Sequence, residues 1–322
     1  MKKESGAAKG AVEQKQTAGH GAPRFIGRLA AVLTIVIWGT TFISTKILLA
    51  DFQPVEILFY RFVMGFLTLL MACPKKLKTK DSGQELTFAA AGLCGICLYY
   101  LLENIALTFT LASNVGVIIS VAPFFTAVLV RLFMKPEEKL GVQFFVGFAV
   151  AMAGISLISF NGSKLELNPG GDLLAAAAAL VWACYSILTK KISSFGYPVI
   201  PATRRTFFYG ILFMIPALFF FDFRPDFSRF ANMTYLFNIF YLGLGASALC
   251  FVTWNFAVKE LGPVKTSAYI YMVPVITVLT SALILSEPLT LLTGTGTILT
   301  LAGLFLSEHK AGKKGAKDGL IN

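Results

Sequence analysis

The 322-residue chain is 56% hydrophobic and only 14% charged, with a mean hydropathy of +0.72. A soluble domain carries about 25% charged residues, so a soluble globule is excluded. The net charge of +11 could suit a nucleic-acid partner, but its distribution along the chain argues against that use.

In chain order, residues 1–28 are rich in Lys, Gly, Ala and Gln and lack an apolar run. They read as a disordered tail without the hydrophobic stretch of a cleavable leader. Ten apolar segments follow, at 29–49, 54–73, 86–107, 113–134, 140–160, 172–192, 198–221, 233–257, 265–286 and 289–306. A helix needs about 20 apolar residues to cross a bilayer, and these runs are unbroken rather than alternating as barrel strands would be. Residues 307–322 are Lys/Gly-rich and read as a second disordered tail. The expected class is an all-α integral membrane protein with ten transmembrane helices.

If the segments alternate in direction, twenty-one of the 28 Lys and Arg lie on one side and three (Lys164, Arg224, Arg229) on the other. The positive-inside rule then puts both termini in the cytoplasm, which implies a multi-pass protein of the plasma (bacterial inner) membrane. The basic clusters suit anionic lipid headgroups. Membrane lipid is therefore an expected partner and nucleic acid is not.

The five cysteines (Cys73, Cys94, Cys97, Cys184, Cys250) lie in apolar segments, and the two histidines (His20, His309) lie in the tails. They read as packing thiols, with neither metal nor disulfide framework. No phosphate-binding loop, zinc motif or nucleophile elbow occurs. No cofactor and no enzymatic activity are expected.

The segments repeat. Trp38, Lys46, Pro54 and Arg61 recur as Trp182, Lys190, Pro198 and Arg205, each 144 positions on; Asn104, Ala106 and Pro123 recur as Asn255, Ala257 and Pro274, 151 on; Leu140, Gly147 and Gly154 recur as Leu289, Gly296 and Gly303, 149 on. Five helices per unit is odd, so the second unit enters the bilayer from the opposite side. The units read as two inverted five-helix repeats, residues 29–160 and 172–306, joined by a linker at 161–171. Inverted repeats favour alternating access around a midplane site.

The ensemble resembles the drug/metabolite transporter superfamily, EamA type. The residues that carry the resemblance are Trp38-Gly-Thr-Thr-Phe, Pro54 with Tyr60-Arg61-Phe62, Glu103-Asn104-x-Ala106-Leu107, Pro123, and Ser286-Glu287-Pro288-Leu289-Thr290. The second half departs from the pattern with Trp182-Ala-Cys, and the fourth loop with Lys135-Pro136-Glu137-Glu138-Lys139-Leu140. The resemblance implies a ten-helix exporter or carrier of a small polar metabolite, often an amino acid, with a central cavity between the halves.

Substrate contact is expected from Trp38, Thr41, Tyr99, Tyr100, Asn104, Ser120, Trp182, Tyr185, Trp254, Asn255, Tyr269 and Tyr271. Aromatic walls bury the apolar part of a ligand and a few amides and hydroxyls orient the rest. Buried charge in a bilayer is costly and suggests function. Lys46, Glu56, Arg61 and Glu103 are expected to form one charge cluster, and Lys190, Arg204 and Arg205, with Glu260 in an adjoining loop, a second; the two read as gates or vestibules. Pro123 and Pro274 are candidate hinges. The seven-residue glycine spacing in helices 5 and 10 reads as close helix packing, between halves or between protomers.

The leading reading is a secondary carrier, exporting an amino acid or related compound. Alternatives are a sugar-phosphate or nucleotide-sugar exchanger of the same fold and, from another class, a non-transporting membrane scaffold. No motif specifies substrate, direction, coupling ion or oligomeric state.

Overall fold

The computed structural model describes residues 4–109, 115, 118–134, 141–159, 168–221, 223, 225–285 and 290–308. Among them the chain forms ten helical spans, one for each apolar segment. They are α1 (Glu4–Leu48), α2 (Pro54–Ala72), α3 (Ser82–Gly92, continued through Leu93–Leu98 and Tyr99–Phe109), α4 (Ala122–Phe133), α5 (Val142–Ser159), α6 (Pro169–Ser194), α7 (Val199–Phe220), α8 (Met233–Phe240, Tyr241–Leu249 and Cys250–Leu261), α9 (Pro263–Ala268, Tyr269–Tyr271 and Met272–Leu285) and α10 (Leu291–Glu308). Five (Pro23–Thr45, Pro54–Ala72, Ser82–Ala106, Pro169–Ser194 and Met233–Leu261) are long and apolar enough to cross a bilayer by length and composition alone.

Helix α1 runs on from Glu4 through residues read above as a tail; Ala, Glu, Lys and Gln in that stretch are good helix formers. Where the helices end, the sequence supplies the stop or start. Pro54 opens α2, whose Gln53 and Glu56 form a capping box. Asp81 Oδ1 accepts from Gln84 N at 2.9 Å to open α3. Gly262, at φ 87°, allows the turn between α8 and α9.

Packing follows the repeat. α1 lies on α8 as α6 lies on α3, and α1 on α9 as α6 on α4. α2 lies on α8 as α7 lies on α3, while α2 and α7 meet each other. The seam between α5 and α10 defines the relation of the halves most sharply. A Cβ on Gly154 would sit 2.5 Å from Gly296 O, and one on Gly296 2.6 Å from Gly154 O. A Cβ on Gly147 would sit 2.7 Å from Gly303 O, and one on Gly303 2.6 Å from Gly147 O. Residue pairs therefore exchange reciprocally, as a two-fold requires, and the helices run antiparallel. The glycine faces are a seam between halves, where backbone meets backbone.

Two features are shared by the halves: the first was not readable from the sequence, and the second falls at the two prolines expected above as hinges. α3 and α8 both widen into π-helical turns, Leu93–Leu98 and Tyr241–Leu249. Both end at positions 151 apart, before Tyr99 and Cys250, and such turns cluster at functional sites. α4 and α9 are also interrupted at matching places: Pro123 lies in the first turn of α4 after a turn at Ser120–Val121, and Pro274 follows the 3-10 turn Tyr269–Tyr271. Each proline starts a new helical piece, where its missing N–H costs nothing.

The outer surface is apolar. Phe219, Phe220, Leu283 and Leu291 are each more than 80% exposed, which in water would be an aggregation hazard and in a bilayer is the lipid face.

Candidate functional site

The three tryptophans of the chain come together on the axis between the halves. Trp38 of α1 lies 5.4 Å from Trp182 of α6 and 5.1 Å from Trp254 of α8, centroid to centroid, and Trp182 lies 5.8 Å from Trp254. Tyr99 stands 4.9 Å from Trp182 and from Tyr100, and Tyr185 5.2 Å from Trp182. Phe251 and Phe62 complete the wall. The π turn of α8 serves the cluster directly, because the Ala246 carbonyl accepts from Trp38 Nε1 at 3.0 Å. The π turn of α3 makes room for it: a Cβ on Gly95 would run into the Tyr185 ring.

Polar groups sit among these rings. Arg61, 5% exposed, donates from Nε to Ser247 Oγ at 2.9 Å. Its guanidinium carbon lies 5.1 Å from the Tyr100 ring centroid and 5.3 Å from that of Phe62. Glu103, 8% exposed, lies against the Tyr99 hydroxyl. Trp182 Nε1 and Trp254 Nε1 are buried without a hydrogen-bond partner among the described residues. Tyr99 and Tyr100 are half-buried.

The repeated asparagines differ. Asn255 accepts from the Tyr185 hydroxyl at 2.8 Å and donates to Thr203 Oγ1 at 2.9 Å, bracing α6, α7 and α8. Asn104 is half-buried and makes no such bonds among the described residues. Thr41 Oγ1 bonds back to the Trp38 carbonyl at 2.7 Å. Ser120, Tyr269 and Tyr271 are buried around the breaks in α4 and α9. Tyr271 packs with Ala151, Ile155 and Leu304 in a separate apolar cluster toward α5 and α10, so it is not part of the tryptophan box.

Each end of the bundle carries an ion pair that joins the two halves. At the end marked by Asp51, Arg229 holds Glu56 through two bonds of 2.9 and 3.0 Å and also donates to the Asp51 carbonyl at 2.6 Å. Tyr235 donates to Asp51 Oδ2 at 2.6 Å, and the Phe52 ring lies 4.2 Å under the guanidinium. The Glu56 carboxylate holds the Arg229 pKa above its ordinary value. At the end marked by Asp81, Arg205 and Tyr209 both donate to Glu85 Oε1.

The expected four-member cluster of Lys46, Glu56, Arg61 and Glu103 is therefore corrected. Glu56 belongs to Arg229 at the bundle end, while Arg61 and Glu103 lie in the central box. The Lys46 side chain falls outside the described residues. The second expected cluster also divides. Arg204 donates to the Cys73 and Lys75 carbonyls and caps α2. Lys190 Nζ donates to the Lys259 carbonyl at 2.9 Å near the end of α8. Glu260 lies within α8 rather than in a loop. Arg205 alone of the three makes an ion pair across the halves. Sequence reading missed Arg229, Glu85, Tyr209, Asp51 and Ser247. The one available cue was Glu85, an acid at the start of an apolar segment.

A ten-helix bundle with a two-fold seam, a central aromatic box and an ion pair at each end is the architecture of an inverted-repeat membrane carrier. The EamA-like transporter family model matches residues 25–160 and 169–308, one copy for each half. An uncharacterized transporter of Archaeoglobus fulgidus is 31% identical over 295 residues, covering 88% of this chain and 97% of the relative. A probable terminal-alkyne amino-acid exporter of Streptantibioticus cattleyicolor is 25% identical, covering 87% and 93%. A probable amino-acid metabolite efflux pump of Escherichia coli is also 25% identical, covering 86% and 93%. A crystal structure at 18% identity superimposes with a TM-score of 0.71 over 87% of this chain and 97% of that one, which supports the fold. The chain belongs to the EamA-like transporter family. It is an integral membrane transporter of two inverted five-helix repeats, not an enzyme.

Proposed function

We propose that the protein exports a small polar metabolite, an amino acid or a close relative, by alternating access. The observation that carries this reading is the central box: aromatic rings from both halves surround buried polar groups that lack full partners, on the axis about which the halves would rock. Two relatives named as amino-acid exporter and amino-acid metabolite efflux pump point the same way. The positive-inside distribution supports cytoplasmic termini, so the Asp81 end faces the cytoplasm and the Asp51 end faces outward.

In this cycle the Glu56–Arg229 pair latches the outer end and the Glu85–Arg205–Tyr209 group latches the inner one. Opening either end breaks one inter-half pair, while α5 and α10 stay joined at their glycine seam. The breaks at Pro123 and Pro274 let α4 and α9 bend as the halves exchange positions. The sugar-phosphate alternative would need unpaired cations along the path. Arg204, Arg205 and Lys190 are occupied by carbonyls and by Glu85, which leaves a phosphate to Arg61, beside the carboxyl group of Glu103, and that neighbour weighs against a polyanion.

The test is flux in proteoliposomes for wild type and Asn104→Ala. Saturable amino-acid flux that falls at least tenfold in a folded Asn104→Ala protein is expected. Undiminished flux in that variant would remove Asn104 from the site, and strict exchange of phosphorylated substrates would overturn the substrate class.

A further inference from the structure

Arg61 was expected among gating charges, by analogy with Arg205 at the matching position of the other half. The two sit in different chemistry. Arg205 is ion-paired with Glu85 at a bundle end and is about one-third exposed. Arg61 is buried at the centre, and no direct ion pair joins it to any acid among the described residues. A guanidinium carries five N–H donors. Ser247 takes one, and the Tyr100 hydroxyl is placed to engage another. Glu103, buried in the same box and within the electrostatic reach of Arg61, likewise has no direct cationic partner among the described residues.

Isolated buried charges of either sign are strongly unfavourable unless paired. Here the box holds a guanidinium and a carboxyl group within electrostatic reach of each other, with no direct ion pair between them among the described residues. Trp182 and Trp254 add two buried N–H donors without acceptors among the described residues. The unmet needs are thus donors that want an anion and a carboxylate that wants a cation.

We propose that Arg61 and Glu103 are the two poles of a zwitterion site. Arg61, assisted by an indole N–H, binds the carboxylate of an α-amino acid, and Glu103 binds its ammonium group. A zwitterion laid between them completes a row of alternating charge, and no net charge enters the low-dielectric centre. The tryptophan and tyrosine rings take the apolar side chain. This inference rests on the amino-acid reading above and goes beyond it, because it names the charge pattern selected and the residues that select it. A simple amine would leave Arg61 unmet, and a simple acid would leave Glu103 unmet. Such a site discriminates by unpaired buried charge, the strongest form of rejection available to a binding pocket.

The chain provides its own reporter, since all three tryptophans line the box. Tryptophan emission of the purified full-length protein would be titrated with leucine, isopentylamine and 4-methylpentanoate. These share a side-chain skeleton and differ in charge. Matched sets built on methionine and phenylalanine would follow. A saturable spectral change is expected for at least one amino acid, with its amine and its acid at least tenfold weaker.

Glu103→Gln is expected to bring the amino acid and its matched acid to within about threefold of each other, while the amine stays weak. Arg61→Lys keeps the charge and loses the fork, and is expected to weaken the amino acid about tenfold or more. If Arg61→Lys fails to fold, the Glu103→Gln ratio carries the test alone. Equal binding of amine, acid and amino acid to wild type would overturn the proposal, as would an unchanged acid-to-amino-acid ratio in Glu103→Gln. If no amino acid binds and none is transported in proteoliposomes, the parent reading fails and the zwitterion site falls with it. Amino-acid flux with wild-type selectivity in Glu103→Gln would leave the parent reading intact and refute only the site.

Discussion

Replacing Gly154 by alanine puts a methyl group where α5 and α10 cross. The new Cβ would lie 2.5 Å from Gly296 O and Thr300 N, against 3.4–4 Å for ordinary contact. Both neighbours are backbone, so neither can rotate aside. The two helices would have to separate by about 1 Å over that turn, and overpacking of this kind costs about 1–3 kcal/mol. For a chain of this size each kcal/mol is worth roughly 2–4 °C in melting temperature. Gly154→Ala is therefore expected to melt about 2–12 °C below wild type in detergent. Gly294→Ala is the control: it lies on α10, the other helix of the seam, with nothing within 4 Å of its added Cβ, and alanine there should gain helix propensity. Gly303→Ala, against the Gly147 carbonyl, should behave as Gly154→Ala does. If Gly154→Ala melted at or above wild type, the seam would not be a close backbone contact, and the two-fold relation built on it would fail.

Other predictions follow from the same structure. Arg229→Gln should take the guanidinium away from Glu56, 2% exposed, and cost about 1.5–3 kcal/mol; Glu56→Gln in the same chain should recover part of that loss, and purely additive losses would show that the two do not act as a pair. Asn255→Ala should destabilise by about 1–3 kcal/mol, because the Tyr185 hydroxyl loses its acceptor, while Asn104→Ala should leave the melting temperature within about 2 °C of wild type. A melting temperature lowered equally in both would contradict the distinct roles drawn for them. Cys94→Ala with Cys97→Ala should keep flux within about twofold of wild type and bind no zinc, since all five thiols are free and Cys97 Sγ donates to the Phe213 carbonyl. Zinc-dependent stability in the wild type would reverse that view.

The spans and the repeat were legible because they rest on composition and spacing, which the bilayer forces on every helix. Trp38 and Trp182 could be recognised as related by their interval of 144, and they do meet on the axis. The glycines of helices 5 and 10 were legible as a packing face, although only the structure showed that they face each other. What the interval could not give was environment. Arg61 and Arg205 occupy equivalent positions, yet one is buried among rings and the other is paired at a bundle end. Asn104 and Asn255 diverge in the same way, since Tyr185 and Thr203 claim only the second. The partner of Glu56 is 173 residues away, in a short 3-10 turn that carries no pattern. The π turns leave no periodicity to read, because one extra residue in a helix looks like an ordinary apolar run. Pairings of this kind depend on tertiary geometry, which local propensity does not encode.

The account stands most directly on transport itself. Purified protein would be reconstituted into liposomes, and counterflow of labelled amino acids measured with no pH gradient, beside sugar phosphates and small organic cations. Saturable counterflow of an amino acid, with its matched amine and acid failing to compete, is the predicted result. Counterflow confined to phosphorylated substrates, or to none of the three classes, would contradict it.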